Sequence, residues 1–134
     1  MNNGLRTGLR VALWVLQLAM AIVMVGPGVQ KFTSPMWRRM FHAWGYPDGF
    51  YLVIGAIEVV AGVLVLVPRV ASAAAVVLMM VMGGAAITQM RHGRDGIGEM
   101  VFCAALAAIA YGRWPGILRW RTPRSERAIE AGRP

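Results

Sequence analysis

Four long apolar runs, separated by short basic or aromatic segments, constrain this chain more than any other feature of its sequence. They cover residues 11–29, 50–67, 70–90 and 96–112, which gives lengths of 19, 18, 21 and 17 residues. A helix needs about 20 apolar residues to cross a bilayer, within a range of roughly 17–25. Because the backbone must satisfy its own hydrogen bonds in lipid, such segments are helices. The sequence therefore predicts an all-α membrane protein built as a bundle of four transmembrane helices.

The composition agrees with a membrane protein. Of the 134 residues, 57% are hydrophobic and 15% are charged, whereas a soluble domain has about 45–50% apolar and about 25% charged residues. This composition excludes intrinsic disorder and a disulfide scaffold, and the single cysteine, Cys103, leaves no intrachain disulfide. The first run has the basic start of a signal peptide, but no small-residue cleavage site follows it, so we favour a membrane span.

The net charge of +8 comes from 13 arginines and one lysine against six acids. These basic residues lie between the apolar runs and not along a helical face, so they do not indicate a nucleic-acid partner. With four spans, nine basic residues lie on the side of both termini and five on the other. The excess predicts a bacterial-type inner-membrane protein with both termini in the cytoplasm. We expect a transmembrane domain over residues 1–112 and a basic cytoplasmic tail over residues 113–134.

The link between the first two runs is aromatic, and it predicts a short helix. Ser34 and Pro35 are typical of a helix start, and Gly45 is typical of an end. We therefore expect an interfacial helix over residues 35–44, because tryptophan favours the membrane surface. This segment is a candidate lid over the outer mouth of the bundle. Its candidate lid residues are Trp37, His42, Trp44 and Tyr46.

A few polar residues fall within the outer half of the predicted bundle. Glu58 is the most informative, because an ionisable group at its depth costs on the order of 2.5–3.5 kcal/mol and must face the interior. Gly55 and Gly62 share its helical stripe and leave room for another helix or a ligand. The antiparallel order of the helices predicts one polar pocket. Its candidate ligand-binding residues are Lys31, Glu58, Gln89 and Glu99.

Each of these residues also has an interpretation without a ligand. Lys31 is long enough to reach the membrane surface, and Glu99 is shallow enough to be solvated there. Glu58 and Gln17 can each bond to a neighbouring helix. Ideal helix geometry argues against a direct pair between Lys31 and Glu58, since it places their backbones roughly 10 Å apart along the membrane normal. No metal-binding motif or catalytic residue can be assigned from the sequence, and His92 lies in a loop.

Three sequence segments resemble the DoxX family of small four-helix membrane proteins. They are residues 28–32, Gly-Val-Gln-Lys-Phe; residues 44–47, Trp-Gly-Tyr-Pro; and residues 55–62, which contain the glutamate. The resemblance covers about residues 9–112. It implies that Lys31 is the recurrent lysine of the family and that Glu58 is its intramembrane glutamate. It also implies a link to redox and sulfur metabolism, with a quinone as the candidate ligand.

The resemblance and the polar pocket together suggest a redox-associated, quinone-linked accessory subunit. In this hypothesis Glu58 exchanges a proton, Lys31 binds a carbonyl or anionic oxygen, and catalysis, if any, belongs to a larger quinone-linked oxidoreductase. The alternative is a structural or assembly subunit of a larger membrane complex. A transporter is less favoured, because the chain has no detectable internal repeat. The expected partners are the bilayer, other membrane subunits and a second copy of the chain.

Overall fold

The computed structural model describes the backbone of residues 2–121 and 131–132, and the side chains of residues 2–114 and 131–132. This part of the chain is all-helical. In chain order the five helices are α1 (Asn3–Thr33), α2 (Pro35–Ala43), α3 (Phe50–Leu64), α4 (Ala71–Arg91) and α5 (Ile97–Arg121). The predicted tail falls partly on α5 and otherwise largely outside the described residues.

Within the described residues, three helical segments are long and apolar enough to cross a membrane: Asn3–Thr33, Ala71–Arg91 and Ile97–Trp114 of α5. The second apolar run, predicted as a span over residues 50–67, forms a helix of only 15 residues. α3 ends at Leu64 because the chain turns there, and Pro68 has no N–H with which to continue a helix. The all-helical architecture is therefore confirmed, whereas the predicted four spans are found as three candidate spans and one shorter apolar helix.

The four longer helices pack in a ring. α3 lies against α1 and α4, and α5 lies against α4 and α1, while α2 packs on α1 and α3. Small residues such as Ala71 and Ala75 are fully buried, and Leu78, Leu106 and Ile109 fill the centre. Large apolar side chains are instead exposed around the outside, as expected for helices that face lipid. The most exposed aliphatic and thioether side chains are Val15, Ile22, Met80 and Ile97.

Glycines bring α1 and α3 into close contact. A Cβ added at Gly55 would lie 2.9 Å from both the backbone oxygen of Gly28 and the Cβ of Lys31. At Gly28 and Gly62 an added Cβ would lie 2.9 Å from the valine side chains opposite. The room that the glycine stripe leaves beside Glu58 is therefore occupied by helix α1.

The aromatic link forms the predicted short helix. α2 begins after Ser34 with Pro35 in its first turn, and ends at Ala43. Gly45 follows with a φ of 82°, a left-handed conformation that glycine adopts without strain. Met36 and both arginines of α2 are exposed, whereas Phe41 is buried against the bundle. We call the end of the bundle that this helix covers the α2 end.

A polar cluster around Gln17 connects the helices at the opposite end of the bundle. Gln17 is completely buried; its Nε2 donates to the backbone oxygen of Val65 at 2.6 Å, and its Oε1 accepts from Arg113. The guanidinium of Arg113 also lies 5.2 Å from the ring centroid of Trp14. Gln17 thus links α1, α5 and the turn after α3, which confirms its interpretation as an interhelical hydrogen-bonding residue.

Candidate functional site

The last turn of α1 and the middle of α3 hold a buried ion pair. The Nζ of Lys31 donates to Oε2 of Glu58 at 2.6 Å, and each residue keeps only 4% of its surface exposed. The expectation that depth separates these two residues is wrong. Lys31 packs level with Gly55, so its backbone lies about one helical turn from Glu58, which the lysine side chain spans.

Trp37 of α2 covers this ion pair. The ammonium of Lys31 lies 4.0 Å from the centroid of the Trp37 ring, within cation–π range. The Nε1 of Trp37 is buried and has no hydrogen-bond partner among the described residues. The indole N–H is therefore a donor without an acceptor, next to a buried charge.

Phe41 anchors α2 to the bundle through an aromatic cluster. Its ring lies 5.5–6.4 Å from the rings of its five aromatic neighbours, in edge-on or tilted geometry. Such pairs are favourable beyond the area that they bury. The five neighbours are Trp37, Trp44, Tyr46, Phe50 and Tyr51.

Hydrogen bonds from α4 complete the polar lining of the α2 end. Gln89 donates from Nε2 to Oε1 of Glu99 on α5. The hydroxyl groups of Tyr46 and Thr88 are 2.5 Å apart, and the Thr88 hydroxyl also lies within donor distance of the Gly84 carbonyl. Thr88 was not among the site residues predicted from the sequence. Its only signal in the sequence was its weak polarity, next to Gln89 in an apolar run. This signal is too common to identify a functional residue.

These groups line one cavity of about 820 Å³ between the helices. Its walls are apolar, with Met24, Pro27, Ile57, Val81 and Phe102 among them. The volume lies within the range of about 300–1,000 Å³ that is typical of ligand pockets. All four candidate ligand-binding residues line it, as do three of the four candidate lid residues. These seven are Lys31, Glu58, Gln89, Glu99, Trp37, Trp44 and Tyr46.

His42, the fourth candidate lid residue, lies elsewhere. It is exposed and lines a separate surface depression of about 690 Å³ together with Arg38, Arg39 and Asp48. In contrast, Arg94, which was not predicted, lines the main cavity. Within the described residues, no group of three His, Cys, Asp or Glu side chains is arranged to hold a metal ion.

Comparison with known proteins identifies a family. The sequence profile described as the DoxX-like family matches residues 15–112, which include every helix from most of α1 to the middle of α5. The matched region contains the ion pair, α2 and the whole lining of the cavity. Neither the curated proteins nor the solved structures gave a match.

Proposed function

We propose, from the premise that the chain belongs to the DoxX-like family of integral membrane proteins, that its cavity binds a lipid-soluble molecule of the quinone class. We further propose that the protein is a redox-associated accessory subunit. The observation that carries the proposal is the cavity itself, which has apolar walls and gathers its polar groups at the α2 end.

The chemistry of a quinone suits such a cavity. Its ring and hydrocarbon substituents are apolar, and its carbonyl oxygens accept hydrogen bonds. The Lys31 ammonium has three N–H donors, of which one points to Glu58. The others are available to a carbonyl or anionic oxygen. Glu58 lies beside that position and is the residue that we expect to exchange a proton with the ligand.

Reduction of a quinone also needs electrons, which a partner redox protein must supply in this proposal. The accessory role therefore implies assembly with other membrane subunits. If the protein is a purely structural subunit instead, it will assemble with its partners whether or not the cavity can be filled by a ligand.

The proposal includes a bilayer crossing by α3. Phe50–Leu64 spans about 22 Å as a helix, less than the roughly 30 Å hydrocarbon core. The apolar residues that follow continue the ladder, since the N–H groups of Val65, Leu66 and Val67 donate to the carbonyls of Ala61, Val63 and Leu64. Satisfied backbone groups allow this turn to lie at membrane depth. We therefore propose four crossings, and the excess of basic residues on the side of the termini supports a bacterial inner membrane with both termini in the cytoplasm.

Two adjacent glycines of α4 provide a test of ligand binding. Gly84 lines the cavity, whereas Gly83 does not, and a Cβ at either position meets no heavy atom within 4 Å. We expect Gly84→Leu to weaken binding of menadione by about tenfold or more, because the new side chain occupies the cavity. Equilibrium dialysis of the detergent-solubilised protein against protein-free micelles measures the Kd.

Gly83→Leu is the matched control, and we expect it to bind menadione like the wild type. Mass spectrometry of lipid extracted from the purified protein provides a second readout, with an isoprenoid quinone expected in the wild type and depleted in Gly84→Leu. Failure of the wild type to bind menadione above the micelle background would refute the quinone proposal and favour the structural alternative.

A further inference from the structure

The indole N–H of Trp37 is the one buried side-chain nitrogen or oxygen that lacks a hydrogen-bond partner in the described part of the chain. Such groups are rare, because a buried donor without an acceptor loses its hydrogen bond to water and gains nothing in return. Trp37 also lines the cavity. A ligand in this cavity is the candidate acceptor for it.

The Trp37 ring is held in place from two sides. The Lys31 ammonium, itself fixed by Glu58, lies over one face of the ring at 4.0 Å from its centroid. The ring of Phe41 packs against it in edge-on geometry at 6.4 Å. These contacts oppose a rotation that would turn the N–H towards water or another acceptor.

We propose that Trp37 Nε1–H donates a hydrogen bond to an oxygen of the bound ligand, beside the ammonium of Lys31. The inference rests on the proposed function and identifies the side-chain group that recognises the polar end of the ligand. The indole N–H lies in the ring plane and the ammonium over the ring face, so an oxygen that accepts from the indole lies on the same side of the cavity as the charge. The cavity then prefers apolar molecules that carry an acceptor oxygen at one end over hydrocarbons of the same shape.

The test compares menadione with methylnaphthalene, which has the same fused rings but no oxygen. Trp37→Phe removes the N–H and keeps an aromatic ring for the contacts with Lys31 and Phe41. We expect it to weaken menadione binding by about five- to tenfold, the usual effect of one hydrogen bond. We expect its affinity for methylnaphthalene to be unchanged.

Trp14→Phe is the control, because Trp14 lies outside the cavity, where its ring contacts the Arg113 guanidinium, and phenylalanine keeps an aromatic ring there. It should keep the wild-type ratio of the two affinities. A melting curve of each variant checks that it folds, and the ratio is independent of any general loss of ligand-competent protein.

The possible results separate the two proposals. If the wild type binds neither compound, the proposed function fails. If it prefers menadione and Trp37→Phe keeps that preference, the proposed function stands and the role of Trp37 is overturned. That role is also overturned if the wild type binds both compounds equally, as it would if only a water molecule accepted from the indole.

Discussion

At the scale of single residues, the Lys31–Glu58 pair decides the character of the site. The two charges are 2.6 Å apart and almost entirely removed from solvent. Removing two charges from water costs several kcal/mol for each ion, and the attraction between them does no more than offset this when the geometry is good. A pair of this kind is therefore a weak source of stability, whereas a charge left without its partner is strongly destabilising. Variants that lack one charge can therefore be compared with a variant that lacks both, which separates the effect of the pair on stability from its effect on ligand binding.

Removing one charge of the pair should lower the free energy of unfolding more than removing both charges. We expect Glu58→Leu to lose about 3–5 kcal/mol of stability, because Lys31 is left as an uncompensated buried charge. Glu58→Gln should lose less, since an amide oxygen still accepts from the ammonium. The double variant Lys31→Met with Glu58→Leu should recover most of the loss, and thermal unfolding in detergent, followed by circular dichroism, measures all three.

Glu99→Gln is the control, since Glu99 lines the same cavity but is bonded to the neutral Gln89. We expect it to unfold close to the wild-type temperature. A double variant no more stable than Glu58→Leu alone would contradict the expected asymmetry. Menadione binding by the double variant should remain impaired despite its restored stability, because both proposed ligand contacts are lost.

At the scale of the helices, the sequence predicted the elements better than their relative depth. Ser34, Pro35 and Gly45 bracket α2 correctly because capping and turn preferences are local. The ion pair was not predicted because ideal helices at equal depth place the two backbones roughly 10 Å apart along the membrane normal. The glycine contacts set a different register, in which Lys31 lies level with Gly55. The cavity depends on side chains from four helices and α2, and no local pattern specifies how far apart they stand.

The contact between α1 and α3 should be sensitive to a single methyl group. Gly55→Ala puts a Cβ 2.9 Å from the Gly28 carbonyl oxygen, a backbone atom that cannot swing away. We expect a loss of about 1–3 kcal/mol, the usual cost of overpacking. Gly83→Ala is the control, because its Cβ meets nothing within 4 Å and alanine favours a helix by up to about 1 kcal/mol.

Unfolding of both glycine variants in detergent measures the difference. An unchanged melting temperature for Gly55→Ala would contradict this expectation, because it would show that α1 and α3 move apart at no cost to stability. Menadione affinity should fall in Gly55→Ala as well, because the same contact sets the position of Lys31 relative to Glu58.

At the scale of the whole molecule, the open question is whether α3 crosses the bilayer. The structure bears on the count of basic residues, because Lys31 is buried within α1 and is therefore not one of the loop residues that the positive-inside rule counts. If α3 crosses, nine basic residues lie on the side of the termini and four on the other. With four crossings, this excess favours the proposed orientation with both termini in the cytoplasm.

Cysteine labelling distinguishes four crossings from three. In a Cys103→Ser background, single cysteines replace Asp48, Arg69 and Asp95, all of which are exposed and lie in the links before α3, after α3 and after α4. We expect an impermeant maleimide to label positions 48 and 95 in intact spheroplasts, and position 69 only after lysis. If α3 stays on one surface, positions 48 and 69 will label together and position 95 will be protected. A fourth variant, Asn3→Cys, fixes the side of the N-terminus, and its labelling from outside would reverse the proposed orientation while leaving the number of crossings readable from the other three.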